Sequence, residues 1–422
     1  MTAPTRGTGL VPSAREAAAA IMTSCAPLPT VRRPLKEALD LVLAEDVASP
    51  IDVPPWNNSA VDGYALRSVD VQPPASPLRV IEHVRAGQFP RRAVGPGTAI
   101  RVATGGPVPA GADAVVRQED TEPTGGDAIR VRGPVSAGQS IRLRAEDCRR
   151  GDRVLPAGAV LDPAALGVLA SIAHATVLVH PAPRVAYFGG GDEIADLDQA
   201  DEILAGEKIA SSNSYTLFGL IARAGGTPVD LGLARDTIAS VREQVERARD
   251  ADLLVTTAGV SVGTHDFLRP VLAELGAEIQ VSRVRIRPGG PMCFGVLAGK
   301  PWIGLPGNPV STMVTFELFV RPAIRRLMGH ARPFRRAVPV RVAEPIALGP
   351  RLQHFLRAVV SEESPGSLVA RLTGPQGSGI LTSMVRANAL LIVPEDRSEV
   401  ERDAPLSAIL LDDPEHLTEP PF

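Results

Sequence analysis

The sequence predicts a multidomain α/β protein with additional β domains, and three observations lead to this fold class. The chain has 422 residues, of which 44% are hydrophobic, which is more than one core usually organises. Its 40 prolines and 39 glycines indicate many turns and a multi-part architecture. Between residues 184 and 328, apolar runs of strand length alternate with helical patterns, as in a doubly wound sheet.

The first part of the chain is predicted to be helical and then mostly β. Ser13 and Glu16 have the spacing of a capping box and begin a helix that extends to about Cys25. A second short helix is expected over residues 35–43. Short apolar runs broken by Pro and Gly then predict a mostly β segment over residues 51–144. The elements expected next are the strands Leu78–Val84, Thr98–Val102 and Ala128–Val131 and a helix over residues 163–173.

From residue 184 the strand and helix patterns alternate, which implies a parallel sheet with helices on both faces. Ligands of such sheets bind at the carboxyl ends of the strands. The predicted strands are 184–188, 229–232, 252–256 and 302–305. The predicted helices are 214–224, 237–249 with Asp236 as its cap, 266–275 and a long helix over 311–328. The C-terminal strands are expected at 338–342, 353–360, 368–372 and 389–393, as in a small barrel.

These patterns divide the chain into four predicted domains. Residues 1–54 and 144–182 form a helical and linking N-terminal domain, and residues 55–143 form a mostly β domain inserted into it. Residues 183–331 form the α/β domain, and residues 332–422 form a small C-terminal β-barrel. A site at the sheet edge would therefore belong to the third domain.

Composition excludes several functional classes. The net charge of −3 argues against a general nucleic-acid binder, which would carry a basic surface. The three cysteines, Cys25, Cys148 and Cys293, lie far apart and match no zinc-binding spacing, which fits a reducing cytoplasm. We see no signal peptide and no apolar run long enough to span a membrane, so we expect a cytoplasmic protein.

Acidic residues follow three of the predicted strands. Asp192 and Glu193 come after the first, and Asp236 and Asp266 come after the next two. Because the carboxyl ends of parallel strands share one edge, the four acids predict a Mg²⁺-phosphate site there. A solvated turn at Asp192 and Glu193, and helix caps at Asp236 and Asp266, are the alternatives.

Two glycine-rich loops also follow strands, at residues 256–263 and 304–309. Such loops present backbone amides to anions, although they also serve simply as tight turns. The pattern Gly259-x-Ser261-x-Gly263 matches the nucleophile elbow of hydrolases, which makes a serine hydrolase using Ser261 one alternative. No helix follows the elbow directly and no Asp/His pairing is obvious, so this interpretation is disfavoured.

Two further polar segments have both a functional and a structural interpretation. Arg283, Arg285 and Arg287 alternate on a predicted strand, so all three would face one side. They would form an oxyanion clamp or an ordinary exposed face. Residues 57–65 concentrate side-chain donors and acceptors between Trp56 and Tyr64, which fits either a binding segment or a polar turn.

These segments together resemble the molybdopterin molybdenumtransferases, the family that includes the E domain of gephyrin. The matching segments are Asn58-Ser59-Ala60-x-Asp62-Gly63-Tyr64-Ala65, Ala103-Thr104-Gly105-Gly106-Pro107-Val108-Pro109, Glu146-Asp147, Gly191-Asp192-Glu193, Gly259-Val260-Ser261-Val262-Gly263 with Asp266, Pro288-Gly289-x-Pro291, Leu305-Pro306-Gly307-Asn308-Pro309-Val310-Ser311 and Gly374-Pro375-Gln376-Gly377-Ser378-Gly379. Their order and spacing extend over residues 12 to 412, which makes a chance match to all of them very improbable.

The resemblance implies an enzyme of molybdenum cofactor biosynthesis. Such an enzyme hydrolyses adenylylated molybdopterin with Mg²⁺, inserts molybdate and releases AMP. It implies a homodimer in which the N-terminal side of one subunit and the α/β domain of the other share a site, and transient contacts with other molybdenum-cofactor enzymes.

By matched position, the resemblance also implies roles for individual residues. The implied catalytic residues are Asp62, Thr104, Asp147, Glu193, Asp236 and Asp266. The implied metal ligands are Asp192, Glu193, Asp236 and Asp266. The implied substrate-binding residues are Ser59, Gly259, Ser261, Arg283, Arg287, Pro306, Gly307, Asn308, Pro309, Ser311 and Ser378.

The chain departs from the family pattern at five positions. Gly190 replaces the usual Thr, Asn57 the usual Asp, Ala258 the usual Gly, and Arg287 and Gly290 two positions where Lys is common. Arg keeps the charge of Lys with a different geometry, whereas Gly290 removes it. The departures at Gly190, Asn57 and Gly290 support an alternative in which the chain is a catalytically weak molybdopterin-binding or scaffold paralogue.

Overall fold

The computed structural model describes residues 11–72, 76–257, 267–349 and 351–411. The chain forms two compact units. The larger unit comprises Met1–Val31, Asp40–Val42 and Val179–Phe422, and the smaller unit comprises Arg32–Leu39 and Leu43–Leu178. None of the helices within the described ranges is long and apolar enough to cross a membrane.

The larger unit begins with the helix Ala14–Ser24, which confirms the first predicted helix. Its capping box forms as expected: the Ser13 hydroxyl accepts the Glu16 amide at 3.3 Å, and the Glu16 carboxylate accepts the Ser13 amide at 2.7 Å. Ala17 and Ile21 lie one turn apart and are completely buried in the main core. This helix is therefore part of the hydrophobic core of the larger unit.

A six-stranded sheet forms the centre of the larger unit. Its strands, in spatial order, are Thr227–Ala234, Arg184–Gly190, Leu253–Thr257, Lys300–Leu305, Cys293–Leu297 and Glu278–Val281. The first four pair in parallel, whereas Cys293–Leu297 is antiparallel to both of its neighbours, so the expectation of a parallel sheet was wrong at this edge. The physical reason is the turn at Ala298 and Gly299, where φ is +49° and +79°. Two consecutive positive φ values make a tight hairpin, which returns the chain antiparallel without a helix.

The helices of this unit confirm the predicted alternation but differ in detail. After the first helix, the α-helices in the described part of this unit are Ala200–Leu204, Ser212–Ala224, Ile238–Arg247, Leu268–Glu274, Pro309–Thr315, Arg321–Leu327 and Thr382–Arg386. Thr237, and not Asp236, caps the helix Ile238–Arg247, because its hydroxyl accepts the Ser240 amide at 3.2 Å. The long helix expected over 311–328 is interrupted by a π turn at Phe316–Val320. Pro322 lies just beyond and lacks the amide hydrogen that a regular helix requires.

The C-terminal strands close into the predicted small barrel. They are Ala337–Val342, Gln353–Ser364, Ser367–Leu372, Ala389–Val393 and Pro405–Leu410. The barrel closes because the long strand Gln353–Ser364 pairs with Ser367–Leu372 on one side and Ala389–Val393 on the other. The short strands Ile346–Ala347 and Glu399–Val400 pair separately.

The smaller unit is mostly β, as predicted. Its six-stranded sheet contains, in spatial order, Ala114–Arg117, Gly63–Leu66, Thr98–Val102, Leu78–Val84, Ala128–Val131 and Thr121–Pro123. Its helix is Pro163–Ser171, where the Asp162 carboxylate accepts the Ala165 amide at 2.7 Å. The short strands wholly within this unit are Val47–Ala48, Asn58–Ser59, Ile141–Arg142 and Arg153–Leu155, whereas Val31–Pro34, Val42–Leu43 and Thr176–His180 include residues of both units.

The predicted helix over residues 35–43 was wrong. Only one 3₁₀ turn, Leu35–Glu37, forms there. Asp40 has a φ of +64°, a left-handed conformation that a continuing helix does not permit. Val42 and Leu43 are then completely buried in a short strand, so tertiary packing overrides the local helical pattern.

His330 generates a prediction about stability and pH. Its side chain is 4% exposed, and burial together with nearby Arg325 and Arg321 lowers the pKa of His330 to about 4. The unfolded chain binds this proton near pH 6.5, whereas the folded chain does not. The neutral histidine therefore contributes its full share of stability above pH 6.5, and that share is lost as the pH falls towards 4.

Between pH 7 and pH 4.5 the free energy of unfolding should fall less in His330→Gln than in the wild type. The difference between the two decreases should be on the order of 2 kcal/mol. Urea unfolding at the two pH values measures this difference, because the other acid-sensitive groups are common to both proteins. Substitution of the exposed His83 by Gln is the matched control. Equal losses in His330→Gln and the wild type would contradict the assignment.

Candidate functional site

A cavity of about 490 Å³ lies at the carboxyl ends of the parallel strands in the larger unit. Its walls come from the ends of three strands and from the start of the helix Ser212–Ala224. The lining residues used below are Gly190, Glu193, Asn213, Thr257, Gly307 and Asn308. This edge is where doubly wound sheets bind their ligands, so the cavity is the candidate site of this unit.

Glycines at the end of the strand Arg184–Gly190 allow this close packing. A Cβ atom on Gly189 would lie 3.1 Å from the Thr257 hydroxyl, and one on Gly190 would lie 3.2 Å from the Ala234 carbonyl oxygen. Gly190, Glu193 and Thr257 also line a second cavity of about 330 Å³. The two cavities therefore share these three lining residues.

The loop Pro306–Pro309 is held in place by side chains from distant parts of the sequence. The Asn213 amide donates to the Gly307 carbonyl at 2.8 Å, and the Asn308 amide donates to the Ser378 hydroxyl at 3.0 Å. The Ser378 carbonyl accepts the Val310 amide at 3.1 Å. All four predicted loop residues line the cavity: Pro306, Gly307, Asn308 and Pro309. Ser378 is not among the lining residues and acts on the loop through Asn308 and Val310.

A completely buried arginine supports the segment that contains Ser378. The Arg357 guanidinium donates to the Ser383 hydroxyl at 3.1 Å and to the Gly377 carbonyl at 3.0 Å. Its backbone amide donates to the Gln376 side chain at 2.9 Å. Burial lowers the pKa of Arg357 below its usual range. Sequence reasoning missed this residue, although a lone charge in the apolar strand around it was an available signal.

Acidic residues gather at the same edge of the sheet. The Asp192 amide donates to the Asp236 carboxylate and the Asp236 amide donates to the Asp192 carboxylate, both at 3.3 Å. The Lys208 ammonium donates to the Asp192 carbonyl at 2.5 Å. Glu193 lines both cavities. The structure thus brings together the first three predicted acids, whereas Asp266 lies outside the described residues.

These acids do not form a complete metal-binding cluster by themselves. Within residues 11–72, 76–257, 267–349 and 351–411, no three His, Cys, Asp or Glu side chains are placed to hold one ion together. The Glu193 carboxylate folds back towards Gly191, where a Cβ atom would lie 2.7 Å from one of its oxygens. Gly191 has a φ of +131°, a conformation that favours glycine at this turn.

The predicted strand with three arginines was wrong. Only Ile286–Arg287 is a strand, and Arg283 and Arg285 precede it in irregular backbone. The Arg285 amide donates to the Pro12 carbonyl at 2.9 Å, which draws the chain away from a regular ladder. The Arg285 guanidinium pairs with Glu395 at 3.0 Å. Arg283 and Arg287 are exposed and line neither of the two cavities described above.

The remaining predicted residues of the larger unit have different positions. Ser311 is 4% exposed, and its carbonyl accepts the Thr315 hydroxyl at 2.6 Å. Gly259 and Ser261 lie outside the described residues, as does the glycine-rich loop that contains them. The oxyanion-binding and hydrolase interpretations of that loop therefore stay predictions.

In the smaller unit, Asp62 and Thr104 form a direct contact. The Thr104 amide and hydroxyl both donate to the same Asp62 oxygen, at 2.8 Å and 3.1 Å. Asp62 lines a separate cavity of about 520 Å³. Asp147 is exposed and outside that lining, and its amide donates to the Val53 carbonyl at 3.0 Å. Ser59 is completely buried, and its hydroxyl donates to the Val61 carbonyl at 2.5 Å.

The fold and this site define a multidomain α/β protein with a ligand cavity at the sheet edge and a C-terminal barrel. Three family models match the chain in order: the MoeA N-terminal region (domain I and II) over residues 12–173, a probable molybdopterin binding domain over residues 190–326, and the MoeA C-terminal region (domain IV) over residues 339–411. Together these models account for most of the chain and for both of its units.

Individual relatives agree with the family models. A molybdopterin molybdenumtransferase of Nostoc sp. is 35% identical over 372 residues, which cover 84% of this chain and 82% of the relative. A molybdopterin molybdenumtransferase 2 of Mycobacterium tuberculosis is 36% identical over 394 residues, covering 90% and 94%. The crystal structure of a molybdopterin biosynthesis MoeA protein from Pyrococcus horikoshii superimposes with a TM-score of 0.78, at 30% identity over 95% of this chain and 100% of that one. The chain belongs to the MoeA family of molybdopterin molybdenumtransferases.

The contacts of Ser378 generate a prediction that separates support from substrate binding. We expect Ser378→Ala to lower the free energy of unfolding by about 1 kcal/mol without any ligand, because the Asn308 amide loses its acceptor. Hydrogen exchange at the Val310 amide should become faster in the same variant. The exposed Ser398→Ala in the same barrel is the control. Unchanged stability and exchange in Ser378→Ala would contradict the supporting role and leave direct contact with the substrate as the remaining role of Ser378.

Proposed function

We propose that this protein inserts molybdate into adenylylated molybdopterin during molybdenum cofactor biosynthesis and releases AMP. The observation that carries the proposal is the cavity of about 490 Å³ at the sheet edge, within the segment that matches a molybdopterin binding domain. The relatives that this chain matches over most of their length are named molybdopterin molybdenumtransferases, which supports the same reaction. None of the family models and relatives named above is described as a hydrolase.

In this proposal the larger unit binds and orients the pterin substrate. The Pro306 carbonyl accepts the Thr312 hydroxyl, the Gly307 carbonyl accepts the Asn213 side-chain amide, and the Asn308 side-chain amide donates to Ser378, so the loop forms a stable wall. A loop that is ordered in this way before binding contacts a polar ligand without a large ordering cost. Arg283 and Arg287 remain our candidates for holding molybdate, since a guanidinium matches oxyanion geometry.

The acids at the sheet edge are proposed to hold Mg²⁺. Their chemistry fits this ion, because Mg²⁺ prefers oxygen ligands and takes only one or two carboxylates together with water and phosphate. Asp192 and Asp236 accept each other's amides at 3.3 Å, a weak contact that leaves lone pairs for an ion. Glu193 and Asp266 complete the proposed set. Mg²⁺ would neutralise phosphate charge when bound.

We further propose that the active form is a homodimer in the cytoplasm and that residues of two subunits complete the site. Asp62 and Thr104 would come from one subunit, together with Asp147, and the acids of the sheet edge from the other. The three cysteines are unpaired, which suits a reducing compartment. The four-domain division at residues 54, 144, 183 and 332 also remains our proposal, as do transient contacts with other molybdenum-cofactor enzymes.

The scaffold alternative depends on the departures from the family pattern, and two of them have a structural explanation. The Asn57 side-chain oxygen accepts the Arg144 amide at 2.8 Å, a contact that an Asp carboxylate would also make. A Cβ atom on Gly290 would lie 3.3 Å from the Ile286 carbonyl oxygen, so the backbone favours glycine there. These two changes follow local packing, and turnover with molybdate distinguishes the enzyme from a scaffold.

Removing one acid tests the proposed reaction. We expect Asp236→Asn to reduce Mg²⁺-dependent release of AMP about a hundredfold, because the site loses one anionic oxygen ligand. Asn retains an oxygen that accepts the Asp192 amide, so the melting temperature should stay the same. The exposed Asp198→Asn in the same unit is the control. Full turnover of Asp236→Asn at limiting Mg²⁺ would remove this residue from the site.

Mixed dimers test the proposed sharing of the site. A dimer with one Asp62→Ala subunit and one Asp266→Ala subunit should regain part of the activity, because one of its two sites has both acids intact. Each variant alone should be inactive. Turnover of the mixture is measured after subunit exchange has been verified by mass spectrometry. Verified mixed dimers without recovered turnover would refute a site built from two subunits.

A further inference from the structure

The smaller unit contains a cavity whose charge differs from that of the sheet edge. It measures about 520 Å³, and its polar lining residues are Asp62, His83, Arg85, Arg101 and Gln118. Two arginines and a histidine thus face one carboxylate. In the described part of the chain, neither Arg85 nor Arg101 forms an ion pair that would compensate this charge. The cavity therefore has an excess of positive charge.

The strand register places the central cation between two other polar side chains. Arg101 is paired with Tyr64 on one neighbouring strand and with His83 on the other. Residues directly opposite on adjacent strands project from the same face of a sheet. Tyr64, Arg101 and His83 consequently form one row across three strands, with Arg101 in the middle.

Two hydrogen bonds restrict the groups around this row. The Arg101 guanidinium donates to the Gln118 side-chain oxygen at 3.0 Å, which leaves its other donors available. Asp62 accepts both Thr104 donors on one oxygen, so the carboxylate is held by Thr104 and forms no ion pair with Arg101. The guanidinium is oriented and its charge remains unneutralised.

We propose that this cavity, here called the Arg101 cavity, is a binding site for a tetrahedral oxyanion of the phosphate or molybdate class. Arg101 supplies a planar pair of donors that matches two oxyanion oxygens, and His83 supplies a further donor from the adjacent strand. Arg85 adds positive charge at the same cavity. The identity of the anion rests on the proposed function: this site beside Asp62 would bind either the phosphate of the substrate or molybdate.

Equilibrium binding to the full-length protein tests the Arg101 cavity without any turnover. Isothermal titration calorimetry at low salt measures the affinity for molybdate and, separately, for AMP in the wild type and in Arg101→Gln. We expect Arg101→Gln to weaken binding at least tenfold or to lose one equivalent of anion per chain. The exposed Arg79→Gln, on the same sheet and outside the cavity lining, removes an equal charge and should change affinity less than twofold.

A second variant separates geometry from charge. Arg101→Lys keeps the positive charge and loses the planar donor pair, so its affinity should fall between those of the wild type and Arg101→Gln. A loss confined to AMP identifies the substrate phosphate as the anion, a loss confined to molybdate identifies the free oxyanion, and each supports the proposal. Equal, small effects of Arg101→Gln and Arg79→Gln would overturn it, because only nonspecific charge would then act.

The outcome is distinguishable from a failure of the proposed function. Normal anion binding by Arg101→Gln, together with AMP release by the wild type, refutes the Arg101 cavity and leaves the reaction intact. Anion binding that depends on Arg101, in a protein that never releases AMP, supports the cavity and refutes the reaction. Unchanged melting temperatures of the exposed-residue variants establish that the fold is preserved in each comparison.

Discussion

The loop Pro306–Pro309 must pair the polar groups of its backbone and of the Asn308 side chain without a regular partner strand, and the site of the larger unit depends on this constraint. Asn213 and Ser378 supply partners from opposite directions in the sequence, at separations of 94 and 70 residues from the groups that they contact. Arg357 in turn holds the Ser378 segment through the Gly377 carbonyl. The cavity wall is thus connected to the interior of the C-terminal barrel, although the barrel itself contributes none of the lining residues.

The burial of Arg357 costs desolvation free energy and also orders the neighbouring loop. Moving a charge away from water is unfavourable unless hydrogen bonds replace the solvent. Arg357 makes two such bonds with its guanidinium, and one of its nitrogens has no partner among the described residues. An apolar side chain would avoid that desolvation but would leave the Gly377 carbonyl unpaired. The arginine therefore couples the order of the loop to the packing of the barrel.

The two units carry different electrostatic character. The sheet edge of the larger unit gathers Asp192, Glu193 and Asp236, which suits a cation and its phosphate ligand. The Arg101 cavity of the smaller unit has an excess of positive charge, which suits an anion. The residues that line the two cavities therefore suit ligands of opposite charge.

The sequence by itself determined the α/β core, the small barrel and the positions of Asp192, Glu193 and Asp236 after their strands. These features follow from local periodicity, turn residues and caps, which act over a few neighbouring positions. Tertiary structure alone decided that residues 35–43 do not form a helix, that a hairpin makes one sheet edge antiparallel, and that Arg285 pairs with Glu395. It also decided that Ser378 supports the loop and that Arg101 lies between Tyr64 and His83. Such contacts join residues far apart in the chain, so their partners exist only once the strands have paired and the core has packed.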